Sequence, residues 1–449
     1  MFKKILVANR GEIAVRIIRA CREMGIETVA VYSTADKDCL HAQLADEAVC
    51  IGPATSKDSY LKMERILSAT LASGAEAIHP GFGFLSESSK FAELCAKCNI
   101  AFIGPDSETI ERMGNKSEAR NTMITANVPV VPGTKEPVYD AIQAKAIADE
   151  LGYPVMIKAS AGGGGKGMRI ARSSQEVIHL FQTAQQEAQH GFADDSMYIE
   201  KYIEGARHIE FQILADHYGN VIHLGERDCS VQRRHQKMIE EAPCSVISDE
   251  LRIKMGQVAV RAAKAVNYKN AGTIEFILDE NQNYYFIEMN TRIQVEHGIT
   301  EMVTGIDLIK EQIKIAAGEP LNISQSDIII NGHAIECRIN AENPRRKFMP
   351  SPGKINVLHF PGGFGVRIDT MLYQGYTLPS CYDSLVAKVI VHANTRDEAI
   401  HKMLSTLGEI IIDGIDTNTD FLFNLIKEEE FLGGRITTDF VQKVLDNRN

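Results

Sequence analysis

The stretch AGTIEFILDENQNYYFIEMNTRIQVEH, residues 271–297, decides how this chain is read. Two runs rich in β-branched and aromatic residues flank the polar segment Asp279–Asn283, which predicts a β-hairpin. A two-residue turn at Asn281-Gln282 sets Glu275 directly opposite Glu288. The period of two residues per strand repeat then puts Asn290 on the same face as Glu288. Facing carboxylates repel each other, the more so when the neighbours Phe276, Ile277, Phe286 and Ile287 are apolar. Two glutamates and an asparagine are the oxygen ligands a hard divalent cation takes, Mg²⁺ or Mn²⁺, with room left for phosphate oxygens. A solvated edge strand with unrelated glutamates is the weaker alternative. Just downstream, Arg292, Gln294 and Glu296 alternate with Ile293 and Val295, so an arginine fork and a carboxylate share one face.

Working outward, GERDCSVQRRHQKMIEEAP (225–243) crowds Arg227, Arg233, Arg234, His235 and Lys237 between Glu226, Asp228, Glu240 and Glu241. The formal charge is −11, from 59 acidic against 48 basic residues, so the overall field repels nucleic acid and anionic lipid. An anionic ligand therefore needs a local basic pocket, and this segment supplies one, with solvated surface pairs as the plainer reading. Further upstream, YPVMIKASAGGGGKGMRIA places Gly162–Gly165, Lys166 and Gly167 between two strands. The spacing fails the G-x-x-x-x-G-K-[ST] phosphate loop, because a strand and not a helix follows. A glycine hairpin can still close its N–H groups over phosphates, with Lys158 adding charge, or be an ordinary mobile hairpin.

Residues 3–33 read as strand, helix (Glu12–Met24, with Ile13, Ile17, Ile18 and Cys21 at helical spacing), a Gly25 stop and a second strand. The pattern recurs to about residue 105, with helices near 58–73 and 87–98, and predicts a doubly wound parallel sheet. The first turn, Asn9-Arg10-Gly11-Glu12, lacks G-x-G-x-x-G, which removes the main support for a dehydrogenase. A second glycine-rich turn, His79–Phe84, could admit a ligand. After about residue 330 a β-rich unit follows, with a helical stretch from about 396. The 449 residues at roughly 150 per domain predict about three units. Nine scattered cysteines and no export signal predict reduced thiols, and the Cys95/Cys98 pair is read as structural. No long apolar run predicts a membrane span, so the expected address is the cytoplasm.

Taken together, KILVANRGEIAVRIIRA, HPGFGFLSE, KASAGGGGKGMRI, GERDCSVQRRHQK, the 271–297 stretch, RINAENP, SPGKI and PGGFGVR resemble, in order, the biotin carboxylase family of ATP-grasp enzymes, the subunit of bacterial acetyl-CoA carboxylase. The resemblance spans nearly the whole chain. It implies an α/β and α+β multidomain fold: a Rossmann-like N-terminal domain (1–114), an ATP-grasp domain (115–330) with a glycine-rich lid at 131–203, and a β-rich C-terminal domain (331–449). It implies ATP-dependent carboxylation of biotin with bicarbonate through carboxyphosphate, with two Mg²⁺ or Mn²⁺ ions.

Carried over by motif, Lys116, Lys158, Gly163, Gly164, Gly165, Lys166 and Gly167 would serve the ATP phosphates and Met168 would bind the cofactor, with Glu200, Lys201 and Ile203 at the adenine. His208, Gln232 and His235 would approach the nucleotide, and Glu275, Glu288 and Asn290 would hold metal. Glu296 would be the base on bicarbonate, fixed with Arg292, Gln294, the Val295 N–H and Lys237, and Arg338 would stabilise carboxyphosphate and the biotin enolate. The resemblance further implies a homodimer through Arg19, Glu23, Phe364 and Arg367, a separate biotin carboxyl carrier protein, and carboxyltransferase subunits. No Met-Lys-Met carrier motif appears near residue 449, and Leu61-Lys62-Met63 falls in a predicted helix, so biotin is expected on another polypeptide.

Two positions depart from the family pattern. Gly298 stands where proline is usual, loosening the backbone after the proposed base by about 0.4–1 kcal/mol of unfolded-state entropy, and Phe82 stands where tyrosine is usual. Two competitors remain: an ATP-grasp ligase with another acceptor, such as an amine, and a nucleotide-binding regulator without turnover. Arg338 in the third unit opposes the first, and the intact set of base and anion-binding groups opposes the second.

Overall fold

The computed structural model describes residues 1–159, 167–192 and 194–447. The glycine-run expectations for Gly162–Gly165 and Lys166 lie outside the described residues. The chain forms an α/β multidomain fold in which a parallel sheet, a small three-stranded sheet and a large antiparallel sheet are joined.

The parallel sheet has order β3-β2-β1-β4-β5, built from β1 (Lys4–Val7), β2 (Glu27–Ser33), β3 (Glu47–Gly52), β4 (Ala77–His79) and β5 (Ala101–Phe102). β1 is central and apolar on both sides, as a strand covered by helices must be. Ile5 and Val7 face one core, with α1 (Gly11–Glu23), while Leu6 and Ala8 face the other. Ile13, Ile17, Ile18 and Cys21 of α1 are all buried, as their spacing predicts. The expected helix at 58–73 is Met63–Ser73; Ser56–Asp58 is a 3₁₀ turn and Lys62 caps the helix, so Leu61 and Lys62 lie outside it.

β6 (Val155–Ala159), β7 (Met168–Ala171) and β8 (Met197–Lys201) form an antiparallel three-stranded sheet with β6 in the middle. Its apolar face packs under the helices Ala141–Leu151 and Ser174–Phe192 around Val155, Ile157 and Phe181.

The large sheet is antiparallel and eight-stranded. It runs β13 (Tyr284–Asn290), β12 (Asn270–Leu278), β9 (Arg207–Ala215), β10 (Val221–Arg233), β11 (Gln236–Ala242), β14 (His333–Asn340), then the strands Leu385–Ala393 and Val366–Thr370. Pairing of β11 with β14, including Glu240 opposite Glu336, carries this one sheet across residue 330. The unit that begins there therefore extends the sheet already built. The helical stretch from 396 is interrupted by the strand Ile411–Asp413, which pairs with Val357–His359. All nine cysteines are free, and Cys95 is buried in the core of the first sheet.

Candidate active site

A cleft of about 1200 Å³ opens between the loops of the parallel sheet, the three-stranded sheet and one face of the large sheet. Every described residue to which the resemblance gives a catalytic, nucleotide or metal role lines it except Gly167: Lys116, Lys158, Met168, Glu200, Lys201, Ile203, His208, Gln232, His235, Lys237, Glu275, Glu288, Asn290, Arg292, Gln294, Val295, Glu296 and Arg338. Phe82 lines the mouth. Its turn is pinned to the end of β1 by the Asn9 side-chain amide, which donates to the Pro80 and Phe82 carbonyls at 2.6 and 2.8 Å. Gly81 permits that approach, since a Cβ there would come within 2.9 Å of the Asn9 amide.

The floor is a charge lattice. Glu296 is fully buried, and its two carboxylate oxygens accept from Lys237 Nζ at 2.7 Å and from an Arg338 guanidinium nitrogen at 2.8 Å. Burial alone would raise its pKa, but Lys237, Arg338 and Arg227 hold it well below the carboxylate range. Lys237 also donates to Glu210 at 2.6 Å and Glu275 at 3.0 Å. Burial acts to lower its pKa, and these carboxylates more than offset it, so the ammonium stays charged. Arg338 Nε donates to Glu240 at 2.6 Å. Arg292 is held by Glu87 at 2.9 Å, and donates to Gln294 Oε1 at 2.9 Å and Asn290 Oδ1 at 3.1 Å.

The hairpin arithmetic holds at the place that matters and fails at the turn. Glu275 pairs with Glu288 and Thr273 with Asn290, but Phe276 pairs with Phe286. The loop is three residues long, Glu280–Gln282, with Gln282 left-handed at φ 65°. Asp279 Oδ1 accepts the Asn281 and Asn283 N–H groups, which favours this loop over a two-residue turn. A bulge at Ile287 then restores the register. It leaves Ile287 37% exposed while Phe286 stays in the core.

Glu275 Oε1 accepts from Lys237, from Asn290 Nδ2 at 2.8 Å and from Gln294 Nε2 at 3.3 Å, while His208 Nε2 lies 2.9 Å from Oε2. Against the effect of burial, Lys237 and His208 hold Glu275 far below the carboxylate range. Glu288 is pushed up, first by burial and then by the Glu275 charge. Two carboxylates on paired strands, with the Asn290 amide oxygen beside them, are the hard oxygen donors that fit a divalent cation.

At the other end, Lys158 pairs with Glu200 at 2.6 Å, with Arg120 at 3.7 Å from the same carboxylate. Burial lowers Lys116, with the Lys158 charge adding to it and Glu288 opposing. Lys201 turns its ammonium onto the carbonyls of Gly152 and Tyr153, so it lines the cleft without offering it charge. Gly167 sits at the start of β7, its carbonyl bonded to Ala159 N, and does not line the cleft.

Sequence reasoning missed Glu210 and placed Arg227 in a basic pocket, whereas both are 0% exposed and pair at 2.6 Å, and Arg227 also reaches Gln212 and Thr300. Period-2 spacing on β9 from His208 through Glu210 to Gln212 carried that signal. The charged run 225–243 is not a basic pocket as a whole. Glu226, Arg227, Asp228, Glu240 and Glu241 are buried in mutual or remote pairs, leaving Arg234, His235 and Lys237 toward the cleft. Gly298 lies in the first turn of the helix His297–Thr304, where a Cβ would press on the tip of Ile390.

Residues 1–110 match the domain family described as biotin carboxylase, N-terminal domain; 115–324 match the carbamoyl-phosphate synthase L chain, ATP binding domain; and 336–443 match the biotin carboxylase C-terminal domain. The chain is 58% identical to biotin carboxylase 1 of Bacillus subtilis, covering 98% of each. It is 54% identical to a pyruvate carboxylase subunit of Methanothermobacter thermautotrophicus, covering 99% of this chain and 90% of that one. It also resembles the biotin carboxylase domain dimer of Hydrogenobacter thermophilus 2-oxoglutarate carboxylase, solved with MgADP, ADP and bicarbonate. There the TM-score is 0.95 and the identity 51%, covering 100% of this chain and 99% of that one.

Proposed function

The chain belongs to the biotin carboxylase family, ATP-dependent ligases, and we propose that it catalyses the first half-reaction of an acetyl-CoA carboxylase on biotin held by a separate carrier protein. ATP phosphorylates bicarbonate to carboxyphosphate, which breaks down to CO₂ and phosphate. The phosphate takes the N1′ proton of biotin, and the enolate so formed attacks CO₂.

The observation that carries this reading is Glu296, buried between Lys237 and Arg338 on the floor of the cleft whose far end holds Lys116 and Lys158. Glu296 takes the proton of bicarbonate. While both cations rest on it, it is too acidic to be an effective base. An anionic substrate that draws Lys237 and Arg338 toward itself raises the proton affinity of Glu296 as it binds. Arg292, fixed by Glu87 and Gln294, and the Val295 N–H orient bicarbonate. Arg338 then faces the anionic intermediates, where preorganised cations stabilise charge most because water is excluded. A divalent cation held by Glu275, Glu288 and Asn290 would neutralise ATP phosphate oxygens. Met168, Glu200, Lys201, Ile203, His208, Gln232 and His235 would shape the nucleotide end.

We further assign the protein to the cytoplasm, as a homodimer working with a biotin carrier and carboxyltransferase subunits. Among the described residues no helix is long and apolar enough to cross a membrane. Arg19, Glu23 and the 97% exposed Phe364 present the expected dimer face, with Arg367 held behind it by Glu301 and Asp369. The relatives that act in pyruvate and 2-oxoglutarate carboxylases make a 2-oxo acid the alternative final acceptor, tested by pairing the protein with each type of carboxyltransferase.

The decisive measurement is ATP turnover with bicarbonate, with and without free biotin. Bicarbonate-dependent phosphate release that biotin stimulates is expected; release indifferent to both overturns the reading. Glu296→Ala is expected to lose about 10²–10⁴-fold in turnover while binding ATP nearly as before.

A further inference from the structure

Two tight turns stand at the mouth of the cleft, and both are built from side chains that such turns normally avoid. One is Arg234-His235, joining β10 to β11, with both residues left-handed at φ 50° and 63°. The other is the tip Pro344–Phe348 of a short hairpin in which Glu342-Asn343 pairs with Met349-Pro350; there Lys347 and Phe348 have φ 55° and 60°. The tips are locked together. The Arg233 guanidinium lies 3.8 Å from the Phe348 ring centroid and 4.0 Å from Glu342, and Arg234 and Glu342 both line the cleft.

Arg234, Arg345, Arg346 and Lys347 are exposed, and none makes a side-chain ion pair or hydrogen bond among the described residues. The nearby acids are engaged elsewhere: Glu342 with Arg233 and Ser384, Asp416 with Asn343. A non-glycine residue in the left-handed region costs about 1–2 kcal/mol, and such strain persists where the side chain has work to do. So a protein of charge −11 keeps four unpaired cations beside its cleft. The half-exposed Met349 adds an apolar spot beside them.

We propose that this basic rim is the docking surface for the biotin carrier, and that the carrier presents acidic residues around its biotinylated lysine. The inference rests on reading the cleft as a biotin carboxylase site. Biotin itself carries no charge at its ureido ring, so an attraction exerted by the rim acts on what surrounds the biotin.

The test uses biotinyl-lysine in three synthetic peptides, flanked by glutamates, serines or lysines, beside free biotin. At low ionic strength the KM of the glutamate peptide is expected roughly three- to tenfold below that of the serine peptide, with the lysine peptide worst. The gap is expected to close at about 1 M salt, where the screening length is about 3 Å. Arg345→Glu/Arg346→Glu is expected to invert the order while leaving kcat with free biotin and KM for ATP unchanged. Equal KM values for the three peptides overturn the proposal, as does a preference that survives the charge reversal. A parallel rise in KM for ATP would assign the rim to the nucleotide instead. Loss of biotin-dependent turnover in the unmodified protein, free biotin included, would remove the reading on which the proposal rests.

Discussion

The parallel sheet and the large antiparallel sheet solve the same packing problem with opposite materials. At the centre of the first, β1 buries Ile5, Leu6 and Val7 on both faces. At the centre of the second, Glu210, Arg227, Glu240, Glu336 and Lys388 are each 0% exposed. Apolar burial is non-directional and tolerant of small errors. Buried charge is stable only while each partner stands in place, and removing one partner costs more than the pair contributes. The first sheet is therefore a scaffold, and the second concentrates the strain and the electrostatics that the chemistry uses.

The sharpest way to break this contrast is Arg227→Met. The guanidinium donates to Glu210, Gln212, Thr300 and Thr273. Its loss leaves Glu210 with Lys237 alone, and we expect about 3–5 kcal/mol of destabilisation in urea unfolding. Arg227→Met/Glu210→Gln is expected to recover part of it, because the unpaired charge goes too. A double variant as unstable as the single one would show that lost packing, and not charge, explains the cost.

A smaller effect tests the same lattice by pH. Glu12, at the start of α1, is buried against Lys388, whose ammonium lies 3.3 Å away and donates to the Val295 carbonyl at 2.8 Å. Burial pushes the Glu12 carboxyl up to about 7, with Lys388 opposing. The folded protein thus binds this proton more tightly than the unfolded chain does. The stability it contributes is complete below about 4.5 and is lost as pH rises through about 7. Relative to Glu12→Gln, the unmodified protein is expected to lose on the order of 2–3 kcal/mol over that window. Parallel stability curves for the two proteins would contradict this.

The same contrast explains what the sequence made legible. The repeating strand and helix pattern of the first sheet is local, so Ile13, Ile17, Ile18 and Cys21 could be read as one helix face and were found there. The Glu275/Glu288 register followed from a period of two, although the turn chemistry of Asp279 and a bulge at Ile287 produced it by another route. The segment 225–243 could not be read this way. Whether Glu226, Asp228 or Glu241 faces solvent depends on Arg252, Arg207 and Arg396, which lie far away in sequence or on another unit. Glu87, which holds Arg292 across the cleft, is likewise invisible until the parallel sheet is docked. Local periodicity writes the scaffold into the sequence, whereas pairing across the fold writes the site.

The smallest predicted effect belongs to the scaffold. Ile5→Val removes one methylene from a fully buried position on β1 and leaves the strand's hydrogen bonds to β2 and β4 untouched. The expected cost is about 1 kcal/mol, within the range for this change in a core. Because no titratable group is affected, the cost is expected to be equal at pH 5 and pH 8, with kcat unaltered. A cost that varies with pH, or a fall in kcat, would mean that the parallel sheet is coupled to the charge lattice through α1 and Glu12. The division of labour between the two sheets would then have to be redrawn at that helix.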